Sequence, residues 1–371
     1  MKRIVLFVAS VVMCLNTGCS QEVAEAKSLL VAEINNKEIA DLISSNIALF
    51  PNNTQLSIAL IDGDQTTFIG VKRDRDELIT TRNKNSVFEI GSISKVFTSI
   101  LLSNQVNAHQ LDLDDKVQSF MTFSEEKASE DSKEMTLRML ANHTSGLPRI
   151  AQNMLPVMMQ DQTNPYKNYT PELLKEFFMG EIILENAPNT AYSYSNLGTG
   201  TLGYILTQNT GKTYEKLLQE DIFGPLGMGS SSSLLTMIDA SKLVKGLDPA
   251  GAETSNWDFT DAAVGAGGIK STAVDMEKFV RKNFEDDPMY VLPQKLTFTV
   301  NDNLHLGLGW HISIEDEKNY HWHNGGTGGY RSCMVLHKED KKSVIVLSNV
   351  SAFGNKSENI DKLCFELMQT L

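Results

Sequence analysis

Ser92-Ile93-Ser94-Lys95 sets a hydroxyl and an amine three residues apart. On a helix that spacing puts both side chains on one face, within reach of each other. The residues that follow Lys95 are largely apolar, so its amine is headed for burial. Burial disfavours the ammonium form, and a neutral Lys95 can take the proton of the Ser92 hydroxyl and make it a nucleophile. A helix N-terminus at Ser92 adds positive potential where an alkoxide or oxyanion develops. By itself the pattern is weak, since an N-cap serine followed by a lysine reaching for solvent looks the same. Two further segments add to it. Tyr194-Ser195-Asn196 offers a phenol as second proton carrier and an amide that can hold a substrate carbonyl. His323-Asn324-Gly325-Gly326 follows a short strand. Glycines there let a substrate backbone lie along the strand edge, and a main-chain N–H can complete an oxyanion hole.

The elements that must position these groups can be read from periodicity and turn chemistry. Leu56 to Ile61 and Thr66 to Gly70 flank Asp62-Gly63-Asp64-Gln65, a β-hairpin signal. Lys72 to Lys84 has no apolar face and reads as a solvated loop. From Ser92 to about Val106 apolar residues recur at helical spacing, and Leu102 widens the stripe, which predicts a deeply buried helix. Thr170-Pro171-Glu172 reads as a helix start, and Thr272 with Asp275 as a capping box. Strands return at 310–314, 320–323, 330–337 and 343–348, and a helix closes the chain from about Ser357 to Met368. The expectation is an α+β chain: an antiparallel sheet flanked by helices, built from 50–90 and 295–371, with a helical lobe inserted at about 91–290.

The order Ser92-x-x-Lys95, Tyr194-x-Asn196, His323-Asn324-Gly325 resembles the three motifs of the penicillin-recognising serine hydrolases. The class C β-lactamase and D-Ala-D-Ala carboxypeptidase branch is the most similar. Phe88-Glu89-Ile90-Gly91, Leu140 to Pro148 and Pro225-Leu226-Gly227-Met228 also look like this family, and the likeness covers roughly residues 50–350. The resemblance implies the β-lactamase/transpeptidase fold and an acyl-enzyme on Ser92. Lys95 and Tyr194 would share its proton, and the backbone N–H groups of Ser92 and Gly326 would form the oxyanion hole. Asn196 would orient the acyl side chain, and Asn324, Gly325 and Gly326 would line the substrate. His323 would face the substrate carboxylate where many members carry lysine. A histidine that must be protonated for this loses affinity for carboxylates as pH rises through its pKa. The implied substrates are D-Ala-type peptide amides of peptidoglycan fragments and β-lactams, with no cofactor and no metal. The rival readings are a carboxylesterase acting on small esters, or a penicillin-binding sensor that acylates without turnover.

The 371 residues are 41% hydrophobic and carry 33 basic against 46 acidic side chains, a formal charge of −13. That balance argues against nucleic acid as a partner and against disorder. Lys2 and Arg3 precede an apolar run from Ile4 to Leu15, too short to span a bilayer. With Thr17-Gly18-Cys19-Ser20 it resembles a bacterial lipoprotein signal over 1–18, Cys19 being the lipidated residue; ordinary cleavage near Ala24-Glu25-Ala26 is the alternative. Export to the periplasm, anchored through that lipid, is expected. A helical lead segment follows over 19–45, and one hydrolase domain, expected to be monomeric, fills 46–371. Cys333 and Cys364 are the body's two cysteines, expected as buried free thiols.

Overall fold

The computed structural model describes residues 34–371 apart from positions 49, 76 and 316. The signal segment, Cys19 and the first part of the helical lead lie outside the described residues. The chain opens with β1 (Gln55–Asp62), β2 (Gln65–Asp74) and β3 (Glu77–Thr80). Four two-residue strands stand in its middle: β4 (Phe88–Glu89), β5 (Gly246–Leu247), β6 (Glu253–Thr254) and β7 (Lys270–Ser271). It closes with β8 (Phe298–Asn301), β9 (Leu304–Leu306), β10 (His311–Glu315), β11 (Lys318–Gly326), β12 (Arg331–His337) and β13 (Lys342–Ser348). The longer helices are α1 (Lys37–Ile47), α2 (Ser94–Asn107), α3 (Pro171–Met179), α4 (Asn196–Thr210), α5 (Ala273–Asn283) and α6 (Asn359–Met368).

Both strand-rich ends join one antiparallel sheet of nine strands, ordered β3-β2-β1-β13-β12-β11-β10-β9-β8. The seam is β1 against β13, with Ile58 opposite Val346. Alternation along the strands splits the core in two. Leu56, Ile58, Leu60, Val335, Val344 and Val346 pack under α1 and α6. Ala59, Ile61, Met334, Leu336, Ile345 and Leu347 face the helical lobe. Because both faces are covered, these strands carry almost unbroken apolar runs. Cys333 and Cys364 are free and buried on the α6 side.

The hairpin turns at Gly63-Asp64, and α2 is buried on nearly every side, with Phe97 stacked 3.9 Å from Phe279. Thr170 and Thr272 cap α3 and α5 by accepting from Leu173 and Asp275 N–H groups. The expected capping box is only half made. The Asp275 carboxylate instead accepts from Ser230 N at 2.8 Å and Ser231 Oγ at 2.9 Å, tying a neighbouring loop to the helix start. The expected loop at Lys72–Lys84 is corrected as well: β2 runs on to Asp74 and β3 pairs with it, Leu78 opposite Arg73. At a sheet edge one buried side chain, Leu78, suffices, and charged neighbours blunt the edge. Among the described residues no helix is long and apolar enough to cross a membrane.

Candidate active site

The site forms where α2 meets β11. A single-turn 3-10 segment, Gly91–Ile93, leads into α2 and carries Ser92. Gly91 has φ +50°, and a Cβ there would stand 2.5 Å from the Gly326 nitrogen. Only glycine lets the Ser92 turn approach the strand this closely. Ser332 Oγ donates to Ile90 O at 2.8 Å and holds β12 to the same turn.

Lys95 is fully buried, and its Nζ has three neighbours: Ala266 O at 2.6 Å, Asn196 Oδ1 at 2.8 Å and Ser92 Oγ at 3.1 Å. Burial, helped by the Arg149 charge, pushes its pKa well below the usual lysine range. The two carbonyl oxygens can only accept, so a neutral amine gives them its two hydrogens. Its lone pair is then turned to the Ser92 hydroxyl. The Gly-rich turn of the middle segment is thus a wall of the site through the Ala266 carbonyl.

Tyr194 and Asn196 sit at the entry to α4, whose N-cap is Ser195, accepting from Gly198 N at 2.8 Å. Burial raises the Tyr194 pKa, against the pull of Ser92's hydrogen bond and of Arg149. Lys95 Nζ lies 4.9 Å and the Arg149 guanidinium 5.0 Å from the Tyr194 ring centroid. The Asn196 amide divides its two ends, its oxygen to Lys95 and its nitrogen to Tyr166 OH at 2.8 Å. His143 Nδ1 accepts from Ser195 N at 3.2 Å, and its ring packs 4.4 Å from Tyr194, centroid to centroid. It is a support beneath Tyr194 and is held neutral by burial.

The third motif lies within β11 rather than after it. Asn324, Gly325 and Gly326 line a cleft of about 580 Å³ together with Ser92, Tyr194 and Asn196. Its size and its Tyr166, Tyr192, Trp257 and Trp322 walls suit a small-molecule or peptide-end site. His323 is placed differently from the other motif residues. It is fully buried, 6.3 Å from the Tyr194 ring and 5.1 Å from the His311 ring. Burial pushes its pKa well below the usual imidazole range. Its Nδ1 lies 2.6 Å from Asn324 O, which can only accept, so the neutral ring carries its proton there. Nε2 is left as a bare acceptor without a partner among the described residues. The Asn324 amide donates to Asp361 of α6 at 2.8 Å, and Asp361 also pairs with Arg331.

The structure thus gathers Ser92, Lys95, Tyr194, Asn196 and Asn324 to Gly326 around one cleft, with His323 behind it. It adds groups that sequence reading passed over. Glu89 and Lys270 are both buried and stand opposite each other on β4 and β7. Glu89 accepts from Asn256 and from Trp257 N, and Lys270 donates to Trp257 O, which fixes the wall carrying Trp257. Tyr166, Ala266 O and Arg149 complete the set. Arg149 directly follows the Leu147-Pro148 end of the His143 loop, the only signal that pointed its way.

The family model Beta-lactamase matches residues 53–362. The chain is similar to the D-alanyl-D-alanine-carboxypeptidase/endopeptidase AmpH of Escherichia coli, 26% identical over 392 residues, covering 99% of this chain and 97% of that one. Among solved structures, a class C beta lactamase from Rhodobacter sphaeroides matches with a TM-score of 0.73 at 18% identity, covering 90% of this chain and 99% of that one. A beta-lactamase/D-alanine carboxypeptidase from Pseudomonas syringae matches at 0.71 with 18% identity, covering 89% and 98%. The family match begins just before β1 and ends inside α6, so it takes in the whole sheet and every wall of the cleft. The chain belongs to the β-lactamase family.

Proposed function

We propose that the protein is a serine hydrolase that forms an acyl-enzyme on Ser92 and acts on D-Ala-type peptide amides and β-lactams. The observation that carries this is the threefold setting of Lys95 Nζ, with two obligate acceptors and one hydroxyl. Ser92 Oγ bonds to the substrate carbonyl carbon while its proton passes to the Lys95 amine. The backbone N–H groups of Ser92 and Gly326 receive the negative oxygen. Tyr194, kept protonated by burial, hands a proton to the leaving nitrogen as the C–N bond breaks, and Lys95 restores it. Water then takes the acyl group, giving the free acid and regenerating Ser92. The E. coli relative, a D-alanyl-D-alanine carboxypeptidase/endopeptidase by name, supports this substrate class. We also hold to export with a lipid on Cys19.

A carboxylesterase on the same nucleophile is the second reading, and the buried, neutral His323 favours it by leaving no fixed charge at that position. Incubation with a labelled penicillin, followed by mass, separates the readings. A lasting adduct on Ser92 marks a peptidase or sensor, and rapid turnover a β-lactamase. Absence of any adduct alongside cleavage of p-nitrophenyl acetate would establish the esterase instead. Ser92→Ala should lose adduct and turnover alike, and retained turnover would sink the mechanism.

A further inference from the structure

Among the described residues two cations line the cleft, Arg149 and Arg331, and no aspartate or glutamate does. A cationic cleft in a chain of net charge −13 selects for an anionic ligand. Arg331 is already paired with Asp361, which accepts from its Nε at 3.1 Å. Arg149 differs. It is exposed, and among the described residues its guanidinium has no ion pair and no hydrogen-bond partner, only the Tyr194 ring at 5.0 Å. Five donors in the cleft that the proposed nucleophile lines therefore stand open to a ligand.

The backbone beneath Arg149 is fixed. Its carbonyl accepts from Asn196 N at 2.9 Å and Leu197 N at 3.2 Å, and the neighbouring Pro148 carbonyl accepts from Ser195 Oγ at 2.7 Å. Gly146 enters this loop with φ +74°, where a Cβ would meet Asn186 O at 2.0 Å. The backbones of Arg149 and Asn196 thus keep one spacing, from which both side chains reach the cleft.

We infer that Arg149, not His323, anchors the substrate carboxylate. This rests on the acyl-enzyme reading for the identity of the reacting group. The neutral His323 turns a lone pair, not a proton, toward any partner at Nε2, and its burial keeps it from the cleft surface. A guanidinium offers a planar fork that a carboxylate fills with two parallel hydrogen bonds. In a peptide ending in D-Ala-D-Ala the carboxylate follows the scissile carbonyl by one residue, a reach of roughly 3.5 Å. Arg149, 5.0 Å over the Tyr194 ring, lines the same cleft as Ser92, so one ligand can meet both. Arg149 therefore selects for peptides with a free C-terminal carboxylate and for β-lactams, over their amides and neutral esters.

The test is binding, without turnover. In a Ser92→Ala background, N-acetyl-D-alanyl-D-alanine and its C-terminal amide are titrated by calorimetry. The acid should bind about tenfold or more tighter than the amide, a preference that Arg149→Gln collapses toward one and Arg149→Lys partly restores. His323→Gln should keep the preference. An unchanged ratio in Arg149→Gln, loss of the ratio in His323→Gln alone, or no binding of either peptide overturns the inference. Persistence of the ratio with no adduct on Ser92 in the parent protein would leave the anchor standing and defeat only the acyl-enzyme reading.

Discussion

An ammonium at Lys95 would have to donate to Ser92, Asn196 and Ala266 at once, leaving the serine no base. The neutral amine donates to two of them and accepts from the third. Burial favours that state, because the charged form gives up its hydration without a carboxylate beside it. The same burial acts oppositely on Tyr194, holding the phenol protonated. One low-dielectric site thus prepares a base and an acid from two groups that in water lose their protons together, near pH 10. A pH series should show both consequences. Acylation rises with pH as Lys95 loses its proton, with the acid limb well below the ordinary lysine range. Lys95→Arg, permanently charged, should lose about a hundredfold or more and the limb with it. The KM for carboxylate substrates should stay flat from about pH 6 to about pH 9, since His323 is neutral throughout. A KM that climbs across that range would return the carboxylate to His323, as its place in the motif first suggested.

The contact between the Gly91 turn and β11 is what turns a fold into a site. Neither element can shift alone, because Ser332 ties the turn to β12 and Gly325-Gly326 run in register with Ser332 and Arg331. Gly91→Ala forces a Cβ at positive φ against the Gly326 nitrogen, so the strand must retreat from Ser92. We expect acylation to fall on the order of a hundredfold while the far-UV spectrum and the α1/α6 face of the sheet stay intact. Wild-type rates in Gly91→Ala would show that the close approach does not matter. The elements themselves were largely legible. Alternation, the Asp62-Gly63-Asp64-Gln65 turn and the threonine caps found the hairpin, the closing strands and the helix starts. β3 was hidden because a strand at an edge needs one buried residue and tolerates Arg and Asp around it. Ser92, Lys95, Tyr194 and Asn196 could be named because their residue types carry chemistry at short spacing. Arg149 could not, since a loop arginine acquires its meaning from Tyr194 and Asn196, which only folding brings beside it.

At the scale of the molecule, the sheet buries a layer of imidazoles between β10, β11 and the helical lobe. His143, His311, His321 and His323 are all buried, and burial lowers the pKa of each, that of His311 to about 4. The sign of the linkage follows. In the unfolded chain these rings take up protons near pH 6.5, and in the folded protein only at lower pH. Between the two the unfolded state binds more protons, so stability rises with pH through that window and is lost as pH falls. For His311 alone, a window from 6.5 to about 4 corresponds to roughly 3 kcal/mol. Glu89, Asp221 and Asp361 run the other way, because burial raises their pKa and the folded state then holds the extra proton. Against these three stand the four imidazoles, joined by carboxylates such as Asp114, Glu220 and Asp340 whose pKa is lowered, so acidification costs stability on balance. The thermal midpoint should therefore fall steadily on acidification from about pH 6.5 to about pH 4. His311→Gln, which removes one ring and keeps a partner for the Tyr192 hydroxyl, should make that slope shallower. A midpoint that holds or rises over the same interval would mean the imidazoles are already protonated in the fold, and the neutral state assigned to His323 would fall with them.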